Sequence, residues 1–301
     1  MKLINYLFLL SIGVIWGANF LFNELAIQSI PPTSVATARA SIGVIVLTVI
    51  LQFTNKQKKL FESKLSNTQV FHLWKKLFFI AFFEATLPFF LLAWGQQHVD
   101  SGQAAILMGT IPIITTILTK LLIPGTVLNL GNLISVFLGF VGIVVLVGPV
   151  SSLSILSNIT GKLAILTAAF SFSLALILIK KLSDSSPIRS ARNLLLCASI
   201  QLIPISLLVD HPWLLRPSLN SLLSVLLLGS LCGGIAYMLY FVLIEQKGPT
   251  FTSFSNYLVP IFGTLFGTIF LHEAINLSTI AALLIIIMAT VMNGLVKQGD
   301  K

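Results

Sequence analysis

Hydrophobic residues in this chain run in long unbroken stretches, not in the alternating or single-face patterns of soluble strands and helices. Ten stretches stand out, at approximately 4–22, 34–53, 76–95, 101–121, 130–148, 161–179, 191–209, 219–243, 250–271 and 275–296. Each holds about 17–25 residues, enough at about 1.5 Å per residue to cross roughly 30 Å of hydrocarbon. The separators carry helix breakers or charge: Pro31-Pro32, the lysine-rich stretch 54–76, Asp100, Pro124-Gly125, Pro149, Asp184 to Pro187, Asp210 to Pro217, Gly248-Pro249 and His272-Glu273. The pattern predicts ten transmembrane helices. The first run, at about 20 residues, exceeds the 7–15 of a signal-peptide core and reads as a retained helix.

Composition narrows the class further. Hydrophobic residues make up 56% of 301 residues and charged residues 9%, against about 25% charged in soluble proteins. That excludes an ordinary soluble enzyme, a disordered chain and a secreted disulfide scaffold. The two cysteines, Cys197 and Cys232, sit inside apolar runs and read as buried thiols. The expected fold is an all-α polytopic membrane protein.

The net charge of +9 does not indicate a nucleic-acid partner, because the bases cluster between the apolar runs. With the N-terminus inside, fifteen of the eighteen Lys and Arg residues fall on the inner side. Lys162 and Arg216 fall outside, and Arg39 lies within the second span. The positive-inside rule then places both termini and the 54–76 loop in the cytoplasm, in a cytoplasmic (inner) membrane. The six lysines of that loop would face the anionic surface of the lipid bilayer.

The two halves match when slid over each other. An offset of 156 brings Pro31 onto Pro187 and Trp16-Gly17 onto Phe172-Ser173, and an offset of 148 brings Pro112 onto Pro260. Each half has five spans, an odd number, so the second half enters from the opposite side. This predicts two inverted five-helix repeats, residues 1–148 and 161–297, with a site between them at the bilayer midplane.

At this point the chain resembles a known family, the EamA-type ten-helix transporters of the drug/metabolite transporter superfamily. The residues that carry the resemblance are Trp16-Gly17-x-Asn19-Phe20, Pro31-Pro32 followed by Arg39, and Ser101-Gly102-x-Ala104-Ala105 leading to Pro112. In the second half they are Gly248-Pro249 leading to Tyr257-Leu258-x-Pro260, with Glu273 ending the ninth span. Two positions depart from the family's pattern: Gly125 stands opposite Glu273, and Phe172 replaces a Trp in span six. The resemblance implies a metabolite carrier, often an exporter, with a central cavity.

Residue chemistry agrees with a carrier. There is no G-x-x-x-x-G-K-[ST] phosphate loop, and His272-Glu273 lacks the second zinc ligand of H-E-x-x-H, since position 276 is Asn276. No catalytic residue, metal site or cofactor is expected. Glu84 is the sharpest single residue. It lies inside an apolar run about 12 Å from the inner edge, where a charge costs about 2.5–3.5 kcal/mol and must face a cavity or a partner. Two readings follow: a proton carrier in a transport cavity, or a structural ion pair with Arg39.

Polar positions at helical spacing complete the set. Trp16, Asn19 and Asn23 share one face of span one. Asn256, Tyr257 and Pro260 share a side of span nine, and Tyr237 and Tyr240 lie in span eight. Pro88, Pro112 and Pro260 would kink their helices beside the cavity, each freeing a backbone carbonyl. The expected substrate-binding residues are Trp16, Asn19, Glu84, Tyr237, Asn256 and Tyr257. The function read from the chain is a secondary transporter of small metabolites, amino acids or drug-like molecules, with a proton as coupling ion. A membrane-embedded enzyme and a channel or sensor are the alternatives.

Overall fold

The computed structural model describes residues 3–54, 67–123, 130–147, 154–179, 187–252 and 255–295. Among them the secondary structure is helical throughout and forms ten membrane passages. In the first half, α1 is Leu3–Ile27 and α2 is Pro32–Thr54. Passage α3 joins Asn67–Ala81, a π-helical turn at Phe82–Thr86, and Leu87–Gly95. Passage α4 joins Ser101–Met108 to Ile111–Leu122, and α5 is Leu130–Val147. In the second half, α6 is Ser154–Ile179 and α7 is Pro187–Val209. Passage α8 joins Leu219–Leu227, a π-helical segment at Leu228–Ile235, and Ala236–Thr252. The last two are α9, Ser255–Leu271, and α10, Leu277–Leu295.

Seven of these passages hold long apolar spans, and α5, α9 and α10 supply the shorter apolar helices Leu130–Gly142, Leu258–Leu271 and Leu277–Ala289. Hydropathy locates the membrane-crossing part of each helix better than its ends. Passage α3 starts at Asn67 and α6 at Ser154, both upstream of their apolar runs, because helix formation does not stop where hydrocarbon stops. A second difference concerns Gly248-Pro249. The sequence pattern puts a break there, yet α8 continues to Thr252.

The packing has the symmetry of an inverted repeat. Passage α1 packs on α9, and its counterpart α6 packs on α4. Likewise α2 on α8 matches α7 on α3, and α3 on α6 matches α8 on α1. Three pairs map onto themselves: α2 with α7, α4 with α9, and α5 with α10. The result is two interlocked five-helix repeats in an all-helical membrane fold. Small residues set the closest crossings. A Cβ on Gly17 would lie 2.4 Å from Phe262 Cβ, and one on Gly263 would lie 2.2 Å from Ala105 Cβ. The α1–α9–α4 stack therefore depends on bare backbone at both glycines. Large apolar side chains such as Phe137, Leu208 and Leu284 stay exposed, which suits a surface facing lipid.

Candidate functional site

A cavity lies between the repeats, lined by residues of both halves. Its wall follows the internal symmetry. Trp16 and Phe172 are repeat equivalents at the 156 offset, as are Phe20 and Leu176. Leu92 and Tyr240, Met108 and Asn256, and Ile111 and Val259 are equivalents at the 148 offset. The remaining lining residues are Asn19, Arg39, Glu84 and Tyr237. Their equivalents, Ala175, Leu195, Cys232 and Phe89, carry no charge and are absent from the lining. The paired residues build a mostly apolar shell, and the unpaired ones supply its charge.

Local backbone geometry presents Glu84. Pro88 has no N–H, so the Glu84 carbonyl loses its usual partner four residues on. The chain answers with a π turn, in which the Leu87 N–H bonds to the Phe82 carbonyl. The Tyr237 hydroxyl approaches the freed Glu84 carbonyl at 3.4 Å and the Glu84 carboxylate Oε1 at 3.3 Å. The other carboxylate oxygen, Oε2, has no partner, although Glu84 is only 5% exposed.

Arg39 lies on the same cavity, 4% exposed, with its guanidinium 3.8 Å over the Phe89 ring centroid and its Nε unpartnered. No ion pair joins Arg39 to Glu84. The structure therefore does not form the pair that the sequence offered as an alternative; Tyr237 and Phe89 take the two charged groups apart.

Aromatic rings close the wall. Trp16 lies 4.8 Å from Tyr240 and 6.2 Å from Tyr237, centroid to centroid. Its indole N–H donates to the Cys232 carbonyl at 3.4 Å, within the π segment of α8. Five of the six expected binding residues, Trp16, Asn19, Glu84, Tyr237 and Asn256, line this one cavity. Tyr257 lies on α9, but its side chain is outside the described residues. The three prolines lie close to the wall. Pro112 follows Ile111, Pro260 follows Val259, and Pro88 precedes Phe89. Sequence reading missed the role of Leu92, Ile111 and Val259 because nothing in an apolar run marks which face is inward.

A second polar region lies where α1, α3, α4 and α9 end or begin, on the side away from both chain termini. The Glu273 carboxylate accepts from the N–H groups of Ser101 at 2.7 Å and Gly102 at 2.9 Å, capping α4. The Ser101-Gly102 and Glu273 motifs are thus two halves of one contact. Gly267 makes room for it, because a Cβ there would lie 2.3 Å from Glu273 Oε2. Nearby, the Asn23 amide donates to Gln96 at 2.9 Å, and Gln96 donates to the Phe20 carbonyl at 3.0 Å. Glu24 and Asp100 lie close enough to Glu273 to repel it. Partial desolvation and Glu273 push the Asp100 carboxyl above its usual range, and Lys162 pulls it back. Glu24 and Gln96 were legible only as polar residues at span ends. Among the described residues no group of three or more His, Cys, Asp or Glu could hold a metal.

Known proteins share this architecture. A solved crystal structure aligns over 95% of this chain and 98% of its own, with a TM-score of 0.64 and 16% identity, which speaks to fold alone. The uncharacterized transporter YoaV of Bacillus subtilis is 24% identical over 286 residues, covering 95% of this chain and 94% of that protein. The uncharacterized inner membrane transporter YedA of Escherichia coli is 24% identical over 293 residues, covering 94% and 88%. The EamA-like transporter family matches residues 3–148 and again 159–295, one match for each five-helix repeat. With its ten helices, its two interlocked repeats and a cavity between them, this chain belongs to the EamA-like transporter family.

Proposed function

We propose that this chain is a secondary carrier that exports small metabolites, amino acids or drug-like molecules across the cytoplasmic membrane. Both termini lie in the cytoplasm, and the two repeats move alternately to open the cavity to either side. Glu84 carries the coupling proton. The observation that carries this reading is a deeply buried carboxylate in the central cavity with one oxygen on Tyr237 and the other unpartnered. A structural carboxylate at that depth would be paired or fully bonded. One left half-bonded in a cavity is free to exchange a proton or to meet a substrate.

The test is flux in vesicles containing the purified chain, screened metabolite by metabolite with and without a proton gradient. Saturable, gradient-dependent flux is expected for at least one compound. Glu84→Gln should remove most of that flux, as loss of a group acting directly in the transport step would, and should remove its pH dependence. Single-channel currents in place of saturable flux would sink the carrier reading, and unchanged pH dependence in Glu84→Gln would sink the role of Glu84.

A further inference from the structure

The cavity contains a charge that the carrier reading leaves unused. Arg39 is 4% exposed, yet among the described residues no carboxylate pairs with it and its Nε has no partner. Its contact is the Phe89 ring, 3.8 Å below the guanidinium carbon. A ring under the face of a guanidinium holds its plane but uses none of its N–H groups. The fork is therefore positioned while its donors stay open. A buried cation without an anion is costly, and proteins rarely retain one unless something arrives to pair with it.

Among the described acidic residues, Glu84 is the one that lines this cavity. Its Oε1 is taken by Tyr237 and it makes no ion pair with Arg39. Arg39 also breaks the internal symmetry: its repeat equivalent at the 156 offset is Leu195, which lies in the apolar core. A helix-packing role common to both repeats does not require the guanidinium.

We infer that Arg39 is an anion subsite and that the transported molecule bears a carboxylate on an apolar body. This rests on the carrier reading for the site's purpose. A planar guanidinium fork suits a carboxylate or a phosphate. The cavity lining holds one guanidinium and one acid, Glu84, so a single negative charge fits and a phosphate dianion does not. Trp16, Phe172, Tyr240 and Leu92 form the wall for the apolar body. The unpartnered Asn19 Oδ1 and Glu84 Oε2 are acceptors for a donor group at its other end.

Three probes with one body and different charge test this on the full-length chain in detergent: 3-phenylpropionate, 3-phenylpropan-1-ol and 3-phenylpropylamine. The acid should raise the melting temperature at concentrations where the alcohol and amine do nothing. Arg39→Gln should weaken the acid's apparent affinity at least tenfold, and Arg39→Lys should weaken it less. The empty Arg39→Gln protein should melt no lower than the parent, because a buried unpaired charge is gone. Equal effects of the three probes, no effect of any, or an Arg39→Gln protein that still prefers the acid would overturn the proposal. So would a lower-melting Arg39→Gln protein with the acid response intact, which would mark Arg39 as structural. If Arg39→Gln does not fold, probe selectivity in the parent and in Arg39→Lys decides. Acid-selective binding without saturable flux of any compound would refute the carrier and leave the subsite standing. Proton-linked flux without acid selectivity would do the reverse.

Discussion

Two glutamates show how differently this chain treats a carboxylate. Glu273 is half-buried and well bonded, with both oxygens accepting backbone N–H groups at the start of α4. Glu84 is more deeply buried and less bonded, with a tyrosine hydroxyl on one oxygen and nothing on the other. For purely structural groups the order should be reversed, since desolvation cost grows with depth and each missing bond adds to it. Glu273 joins the end of α9 to the start of α4, and a glycine at 267 clears its path. Glu84 joins nothing comparable. The difference separates an acid that holds the fold from one that the fold holds ready.

The same substitution should therefore give opposite results at the two sites. Glu273→Gln places an amide N–H₂ against one of the two backbone N–H donors and should lower stability by about 2 kcal/mol. Glu84→Gln removes an unpaired buried charge and keeps the volume, so the melting temperature should hold or rise. Thermal unfolding of both variants beside the parent checks this, and a larger fall in Glu84→Gln would invert the assignment. Tyr237→Phe comes next, at about 1 kcal/mol, because one hydroxyl bond is lost. Its sharper effect is on flux, which should drop several-fold. The double change with Glu84→Gln should be no worse than Glu84→Gln alone, because the two groups act as one unit. The smallest effect lies beside Glu273. His272 has a left-handed φ of 55° where α9 ends, a conformation that glycine adopts freely. His272→Gly should gain about 0.5 kcal/mol, offset in part by the greater freedom of the unfolded chain. A loss of stability would show that the imidazole holds the Glu273 turn.

Much of this is legible in the sequence, and the rest is hidden for a physical reason. Long apolar runs report depth, so the ten passages and Glu84's position inside α3 could be read directly. Aligned prolines at 112 and 260 report the repeat. Depth is not direction, however. Each residue turns a helix by about 100°, so a small phase error swings a side chain from a neighbour to lipid. That is why Arg39 could be placed within reach of Glu84 by rise per residue and yet lie over Phe89 instead. It is also why nothing in the sequence marks Gln96, which links to Asn23 and Glu24. The Ser101-Gly102 motif was visible as a string, but its meaning needed Glu273, 171 positions later than Gly102, to arrive at the same helix end.

The π segments turn this angular sensitivity into a property of the fold. A π turn closes its bond one residue further along than an α turn and so carries one extra residue. That residue advances everything after it by about 100° relative to an uninterrupted helix. In α3 the side chains after the turn include Phe89 and Leu92; in α8 they include Tyr237 and Tyr240, their equivalents at the 148 offset. The turn at 82–86 maps at that offset onto 230–234, inside the second π segment. Both repeats thus carry a phase shift at the same place, and the residues after it include Leu92 in one repeat and Tyr237 and Tyr240 in the other, which line the cavity. Such a wall tolerates exchanges of side chain, as Leu92 against Tyr240 attests. It does not tolerate the gain or loss of one residue in either segment, which would rotate the ring beneath Arg39, or the hydroxyl beside Glu84, toward a different neighbour.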